Sequence, residues 1–135
     1  DRAIDNAKGA GAKRALKLPV SVPSHCDLMK PAAEKLDEYM HSLAFQEPVT
    51  PVIHNVSAAI AATADIRQAL VEQLYRPVLW VDSVNAMKAQ GVTHIIEMGP
   101  GKVLTGLLKR IDKSVTTLPV FDSASLEKAL LETKE

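Results

Sequence analysis

The stretch "THIIEMGPGKVLTGLLKRI", residues 93–111, carries the strongest fold signal in this chain. Residues 93–98 form a short apolar run typical of a buried strand, and the glycines that follow predict a tight turn. The next apolar residues recur at helical spacing, which predicts a helix with five of them inside: Val103, Leu104, Leu107, Leu108 and Ile111. "VTTLPV", residues 115–120, predicts a last strand, so the local order is strand, helix, strand.

The same alternation extends along the rest of the chain. Apolar spacing predicts further helices at residues 2–8, 29–43, 66–74, 81–90 and 123–133. Two more strands are predicted, at residues 52–56 and at residues 14–22, where one face carries Leu16, Leu18, Val20 and Val22. Strands that alternate with helices predict an α/β sheet with helices on its faces, and parallel strands from about residue 50 onward.

Composition narrows the class of protein. The chain has 135 residues, 47% of them apolar, which suits one domain with a real core. Its 16 basic residues balance its 16 acidic ones, so no bulk field favours nucleic acid or membrane as a partner. Cys26 is the only cysteine, which rules out an internal disulfide and indicates a reducing compartment. We therefore predict a cytoplasmic protein.

The sequence contains no evident membrane-spanning or signal-peptide segment. No apolar run approaches the roughly 20 residues that a membrane span requires, and no signal-peptide pattern is visible. The chain opens on "DRAIDNAKGAGAKRA", without an initiator methionine. This opening is typical of the middle of a helix in a larger protein.

A histidine follows the first predicted strand, in "LPVSVPSHCDLMKP", residues 18–31. Three interpretations of His25 are open on position alone: a catalytic base, a metal ligand, or a plain surface histidine. Zinc is disfavoured, because no two of His25, Cys26, His41 and His54 have ligand spacing such as Cys-x-x-Cys. Cys26 is a poor thiolate partner for His25, because consecutive side chains diverge on a strand.

Two other motifs give weaker signals. "EMGPGKVLTG" would need glycine at 96 and Ser or Thr at 103 to be a phosphate loop, but it has Ile96 and Val103. The backbone amides at that helix start could still face a ligand. No serine has Gly-x-Ser-x-Gly flanks, and Ser42 in "MHSLA" falls inside a predicted helix. The basic group Lys13, Arg14 and Lys17 is, on its residues alone, a solvated face.

Four stretches in order give a more specific signal: "GAGAKRALKLPVSVPSHCDLMKPAAEKL", "PVIHNV", "IRQALVEQLYRPVLWVDSV" and "IIEMGPGKVLTGLLKRI". Together they closely resemble the C-terminal portion of the bacterial malonyl-CoA:acyl-carrier-protein transacylases. The resemblance covers residues 5–112 and continues more weakly to the end. It implies an α/β-hydrolase-like large subdomain with an inserted ferredoxin-like small one. Residues 1–20 would then end the small subdomain, and residues 21–135 would be the C-terminal part of the large one.

The resemblance also assigns roles to individual residues. His25 matches the family's catalytic histidine, which works with a serine in a ping-pong transfer of malonyl from coenzyme A to the carrier protein's phosphopantetheine thiol. Gln73 matches the glutamine whose main-chain carbonyl holds the histidine ring. Ser24 matches a position that varies with acyl choice in related acyltransferases, so it would line the pocket. Lys13 and Arg14 either dock the acidic carrier protein or form a solvated strand end.

The family's serine motif, Gly-His-Ser-x-Gly, does not occur in these residues. The family's carboxylate-binding arginine and oxyanion-hole glutamine have no match here either, because in the family's sequences they precede the part that this chain resembles. We therefore expect a fragment of a malonyltransferase of fatty-acid synthesis that is inactive alone and partners the missing N-terminal portion. Its other partners would be malonyl-CoA and acyl carrier protein, with no cofactor, metal, nucleic acid or membrane. The alternatives are a non-catalytic module that binds a carrier protein or partner chain, and an acyltransferase domain of a polyketide synthase.

Overall fold

The structure is a computed structural model that describes residues 1–134. Within that range helices and short strands alternate, which confirms the mixed α/β class. The helices are α1 (Arg2–Gly9), α2 (Lys30–Met40), α3 (Ile66–Glu72), α4 (Trp80–Ala89), α5 (Val103–Ile111) and α6 (Ser123–Glu132). The strands are β1 (Ile53–His54), β2 (Ala59–Ile60), β3 (His94–Met98) and β4 (Thr116–Val120). None of the helices in residues 1–134 combines the length and apolarity needed to cross a membrane.

The predicted strand–helix–strand unit is confirmed. β3 and β4 pair in parallel, with His94 opposite Thr116 and Met98 opposite Val120, and α5 connects them. The expectation of a buried β3 is wrong, because its residues alternate between exposed and half-buried. A strand with one neighbour and one covered face alternates in this way, whereas a strand covered on both faces would not.

The expectation of a parallel strand at residues 52–56 is wrong. β1 instead forms an antiparallel hairpin with β2, with Ile53 opposite Ile60. The His54 carbonyl accepts hydrogen bonds from the amides of Ser57 and Ala58, and Ala58 has a φ of 53°. This tight turn sends the chain straight back, so β1 is joined to β2 as a hairpin and not through a crossover.

The apolar core is divided into small clusters. One joins α2 to α3 through Ala33, Met40 and Val71, and another joins β4 to α6 through Leu118, Val120 and Ala129. Of the five α5 residues predicted inside, only Leu108 is buried, at 2% exposure, while Val103 is 72% exposed. Two strands are too narrow to cover the whole apolar face of a helix, so most of that face stays open.

The strand predicted at residues 14–22 is also absent. Among the described residues no strand lies beside this segment, and the four alternating side chains Leu16, Leu18, Val20 and Val22 are all exposed. Its hydrogen bonds are local: the amide of Val20 donates to the Leu18 carbonyl, and that of Ser24 to the Val22 carbonyl. Without a neighbour to pair with, an alternating pattern alone does not form a strand.

Candidate active site

His25 has a backbone conformation that is uncommon for a residue other than glycine. Its φ is 62°, in the left-handed region that non-glycine residues seldom adopt, at a cost of about 1–2 kcal/mol. Its amide donates a hydrogen bond of 2.9 Å to the carbonyl of Leu74, which lies in the turn after α3. This bond anchors the strained turn to a second part of the molecule. Strain maintained in this way is a recurrent feature of functional sites.

The imidazole ring of His25 makes one contact that fixes its proton. Nδ1 lies 3.1 Å from the main-chain carbonyl oxygen of Arg76. Because a carbonyl oxygen can only accept, Nδ1 must carry the hydrogen in the neutral ring. Nε2 then has a free lone pair on an exposed side chain. The ring is arranged to act as a base through Nε2.

The acceptor differs from the one that the resemblance implied. Gln73, expected to hold the ring with its carbonyl, is the C-cap residue that follows α3, and its own amide donates to the Ala69 carbonyl. No hydrogen bond joins its carbonyl to His25 within residues 1–134. The His25 amide is already bonded to Leu74, so the ring extends past it and reaches Arg76. The assignment of the acceptor to Gln73 is therefore corrected to Arg76.

Sequence reasoning could have noticed one signal for this acceptor. Pro77 follows Arg76 and disfavours a helical conformation for the residue before it. The chain therefore leaves helical geometry at Arg76, and the carbonyl of that residue becomes free to accept from outside the helix. His25 and Arg76 are 51 residues apart, so no local sequence pattern predicts their contact.

None of the other candidate residues hydrogen-bonds to the His25 ring within residues 1–134. Cys26 is half-buried, and its Sγ donates to the Pro23 carbonyl at 3.2 Å. Ser24 is exposed. Lys13 and Arg14 are also exposed, and neither makes an ion pair with another of the residues 1–134. In the same range no three His, Cys, Asp or Glu side chains lie close enough together to hold a metal ion.

Two amides at the start of α5, which the sequence left open to a ligand, donate instead to a side chain of the same chain. The Glu97 carboxylate at the end of β3 accepts from the amides of Leu104 at 3.0 Å and Thr105 at 2.8 Å. It also accepts from the Thr105 hydroxyl at 2.6 Å. That hydroxyl, helped by the amides, lowers the pKa of Glu97. Lys102, the N-cap residue of α5, makes no side-chain hydrogen bond to the helix amides. Since lysine is not a capping residue, the sequence already indicated that another side chain must accept from these amides.

A wide apolar cleft of about 570 Å³ lies elsewhere, between the segment around β1 (residues 50–55), α4 and β3. Its lining includes Ile53, Asn55, Trp80, Met87 and Ile95 and has no ionisable side chain. The cleft is not lined by His25, nor by Leu74 or Arg76, which accept the hydrogen bonds of His25. The cleft therefore offers no group for acid–base chemistry, and the candidate site is the exposed turn around His25.

Comparison with known proteins shows what the chain is similar to. The chain is 53% identical over 131 residues to the malonyl CoA-acyl carrier protein transacylase of Escherichia coli K12, covering 96% of the chain and 42% of that protein. It superimposes on the crystal structure of the transacylase from Xanthomonas oryzae with a TM-score of 0.89 at 49% identity, covering 97% of the chain and 42% of that structure. A malonyl-transacylase in complex with a type II PKS acyl-carrier protein gives a TM-score of 0.88 at 51% identity, covering 98% and 43%.

These similarities confirm the resemblance recognised in the sequence. The chain corresponds to the C-terminal part of such transacylases and spans about two fifths of their length. No protein-family model matches it.

Proposed function

We propose that this protein provides the histidine-bearing C-terminal part of a malonyl CoA-acyl carrier protein transacylase. The transferase would move malonyl from coenzyme A to the phosphopantetheine thiol of an acyl carrier protein in fatty-acid synthesis. The observation that carries the proposal is the His25 turn, with Nδ1 on the Arg76 carbonyl and Nε2 free. The similarity to the transacylases over 96% of the chain supports it.

The proposed chemistry uses His25 twice. Nε2 takes the proton of the serine hydroxyl as the serine oxygen attacks the malonyl thioester carbonyl, and the imidazolium returns that proton to the departing thiolate of coenzyme A. The carrier protein's thiol then attacks the malonyl-serine ester, with His25 first accepting the thiol proton and then protonating the serine oxygen. The serine belongs to the family's Gly-His-Ser-x-Gly motif, outside these residues. A carbonyl partner at Nδ1 fixes the tautomer without adding a negative charge.

Finer parts of the proposal rest on the resemblance. They are an α/β-hydrolase-like large subdomain including residues 21–135, and a ferredoxin-like small subdomain ending with residues 1–20. Ser24 would line the acyl pocket, and Lys13 and Arg14 would dock the carrier protein. The enzyme would need no cofactor and would work in the cytoplasm.

One observation favours a second carrier. The similar malonyl-transacylase at 51% identity is in complex with a type II PKS acyl-carrier protein. A polyketide carrier protein is therefore a second candidate acceptor for the same transfer, by the same residues.

The test uses a full-length hybrid in which this chain replaces the matching C-terminal part of the E. coli transacylase. His25→Ala in the hybrid should lower the single-turnover rate of acylation by roughly 10²- to 10⁴-fold, because a general base is lost. His41→Ala is a matched control: His41 is also exposed, and its Nδ1 also lies on a main-chain carbonyl, that of Asp37 at 3.0 Å.

The control should leave acylation within about twofold of the hybrid, the size of effect typical of a surface substitution. The 135-residue chain alone should transfer no malonyl, since it lacks the serine motif. Near-normal acylation by the His25→Ala hybrid, or equal losses in both variants, would refute the proposed role.

A further inference from the structure

Glu72, the last residue of α3, holds Arg76 at two points. The amide of Arg76 donates to the Glu72 carbonyl at 2.9 Å, and the Arg76 Nη1 lies 3.1 Å from the Glu72 Oε2. The other carboxylate oxygen of Glu72 accepts from the Gln68 Nε2 at 2.8 Å. Gln68, Glu72 and Arg76 therefore form one line, four residues apart, that continues helical spacing beyond the end of α3.

This arrangement differs from a loose surface ion pair. The Glu72 side chain is only 23% exposed, and the bond from Gln68 fixes the orientation of its carboxylate. Arg76 is fixed on its N-terminal side by Glu72 and on its C-terminal side by Pro77, which restricts its backbone. Its carbonyl, the one that accepts from the His25 ring, therefore has a defined direction.

We propose that Glu72 is a positioning residue for His25, acting through the backbone of Arg76. The inference rests on the proposed function, because positioning matters to a reaction only if His25 is the base. Glu72 orients the Arg76 carbonyl, the carbonyl selects the tautomer with hydrogen on Nδ1, and that tautomer leaves Nε2 free for the serine proton. Neither Glu72 nor Gln68 touches the reacting atoms.

A purely electrostatic influence of the pair on the ring makes a different prediction. Removing Glu72 takes away a negative charge, and removing Arg76 takes away a positive one. A field acting on the imidazole would therefore change the tautomer ratio in opposite directions in Glu72→Ala and Arg76→Ala. Loss of positioning would change it in the same direction in both, because either substitution breaks the same contact.

The experiment measures the ring nitrogens of His25 by ¹⁵N NMR in this chain, at about pH 9, where an ordinary imidazole is neutral. The chain has four histidines, and the spectrum of His25→Gln identifies the signals of interest. Matched controls are Asp37→Ala and Arg67→Ala, which break the 3.5 Å pair between α2 and α3. Like the test variants, they remove one carboxylate and one guanidinium.

We expect the ratio of the Nδ1–H to the Nε2–H tautomer to fall roughly two- to fivefold in both Glu72→Ala and Arg76→Ala, the range that measured exposed ion pairs support. The two controls should change it less than about 1.5-fold. Opposite shifts in the two test variants, no shift in either, or equal shifts in the controls would overturn the proposal.

A kinetic arm separates this inference from the proposed function. In the hybrid enzyme, Glu72→Ala and Arg76→Ala should lower kcat by the same two- to fivefold and leave KM for malonyl-CoA unchanged, while Arg67→Ala leaves both unchanged. A hybrid that transfers no malonyl although the tautomer ratio responds as expected refutes the proposed function and not the positioning. A fall in kcat without any tautomer change refutes the positioning and not the function.

Discussion

Residues 10–29 and residues 94–132 both contain regularly spaced apolar residues, and the two regions fold very differently. The second region has two paired strands, a crossover helix and a closing helix, with Leu108, Leu118 and Val120 buried. The first region has no strand, and Leu18 is 77% exposed. It is fixed to the rest of the molecule at the His25 turn, by the bonds to Leu74 and Arg76.

The difference shows that an apolar pattern needs a partner within reach. In residues 94–132 each strand and helix finds its neighbour within the same stretch, so packing stabilises what the pattern favours. In residues 10–29 the alternating side chains have nothing to cover them among the described residues. The first region is therefore expected to contribute to chemistry and contacts, and the second to the free energy of unfolding.

The largest expected effect is on core packing. Leu108→Ala should reduce the free energy of unfolding by about 2–5 kcal/mol, because Leu108 is 2% exposed and its removal leaves a cavity. Leu18→Ala, the same substitution in the first region, should change it by less than about 0.5 kcal/mol. Urea unfolding of the two variants gives both values, and a cost of more than about 1.5 kcal/mol for Leu18→Ala would break the comparison.

A backbone substitution should give a smaller contrast. Gly101 and Gly11 have φ values of 102° and 92°, and a Cβ at either would meet nothing within 4 Å. Gly101→Ala should therefore cost about 1–2 kcal/mol through its conformation alone, because Gly101 belongs to the turn that joins β3 to α5. Gly11→Ala should change global stability little, since α1 buries no residue and can fray. Equal shifts in the urea midpoint would contradict this.

The pH dependence of stability should come from the second region. Hydrogen bonds lower the pKa of three carboxyls there: Thr105 acts on Glu97, Lys88 and then Ser114 on Asp112, and Ser125 on Asp122. A carboxyl with a lowered folded-state pKa stabilises the fold above its unfolded pKa. That stability is lost as pH falls through the folded value, so the free energy of unfolding should decline below about pH 5.

Removing hydroxyl groups that donate to these carboxyls tests whether they cause the pH dependence of stability. Thr105→Val with Ser114→Ala should flatten the decline of stability with acid, because each carboxyl then titrates closer to its unfolded value. Ser42→Ala is the control, since its hydroxyl donates to the Tyr39 carbonyl and to no carboxylate. Thermal unfolding of both variants from pH 7 to pH 3 provides the measurement. An unchanged slope in the double variant would show that the pH dependence arises elsewhere.

The same contrast explains what sequence could predict. The unit from β3 to β4 was predicted because its pairing is completed within about 30 residues, and the helices because their spacing is local. The strand at residues 14–22 and the parallel strand at 52–56 failed because their outcome depended on neighbours and on a turn at Ala58. The family motif predicts a role for His25, whereas its Arg76 partner lies 51 residues away and no local pattern predicts that contact.

The smallest expected effect concerns two pairs of consecutive basic residues, one pair in each region. Lys13 and Arg14 are exposed and lie outside any helix or strand. Arg14 precedes His25 by eleven residues, a chain length of at most about 40 Å. Lys109 and Arg110 lie in the last turn of α5, where positive charge stabilises the helix end. If the first pair docks an acidic carrier protein, its charges steer encounter and its reversal leaves the fold intact.

Reversing each pair to glutamate in the hybrid enzyme therefore separates docking from stability. Lys13→Glu with Arg14→Glu should raise KM for the carrier protein roughly three- to tenfold at low salt, leave KM for malonyl-CoA unchanged, and leave the urea midpoint unchanged. Lys109→Glu with Arg110→Glu should lower stability by about 1 kcal/mol and change neither KM. Because screening weakens exposed charges, the KM effect should shrink as salt rises toward 0.5 M. Equal changes of KM for both substrates would mean that the Lys13 pair perturbs the site itself, and no change at low salt would leave it a solvated face.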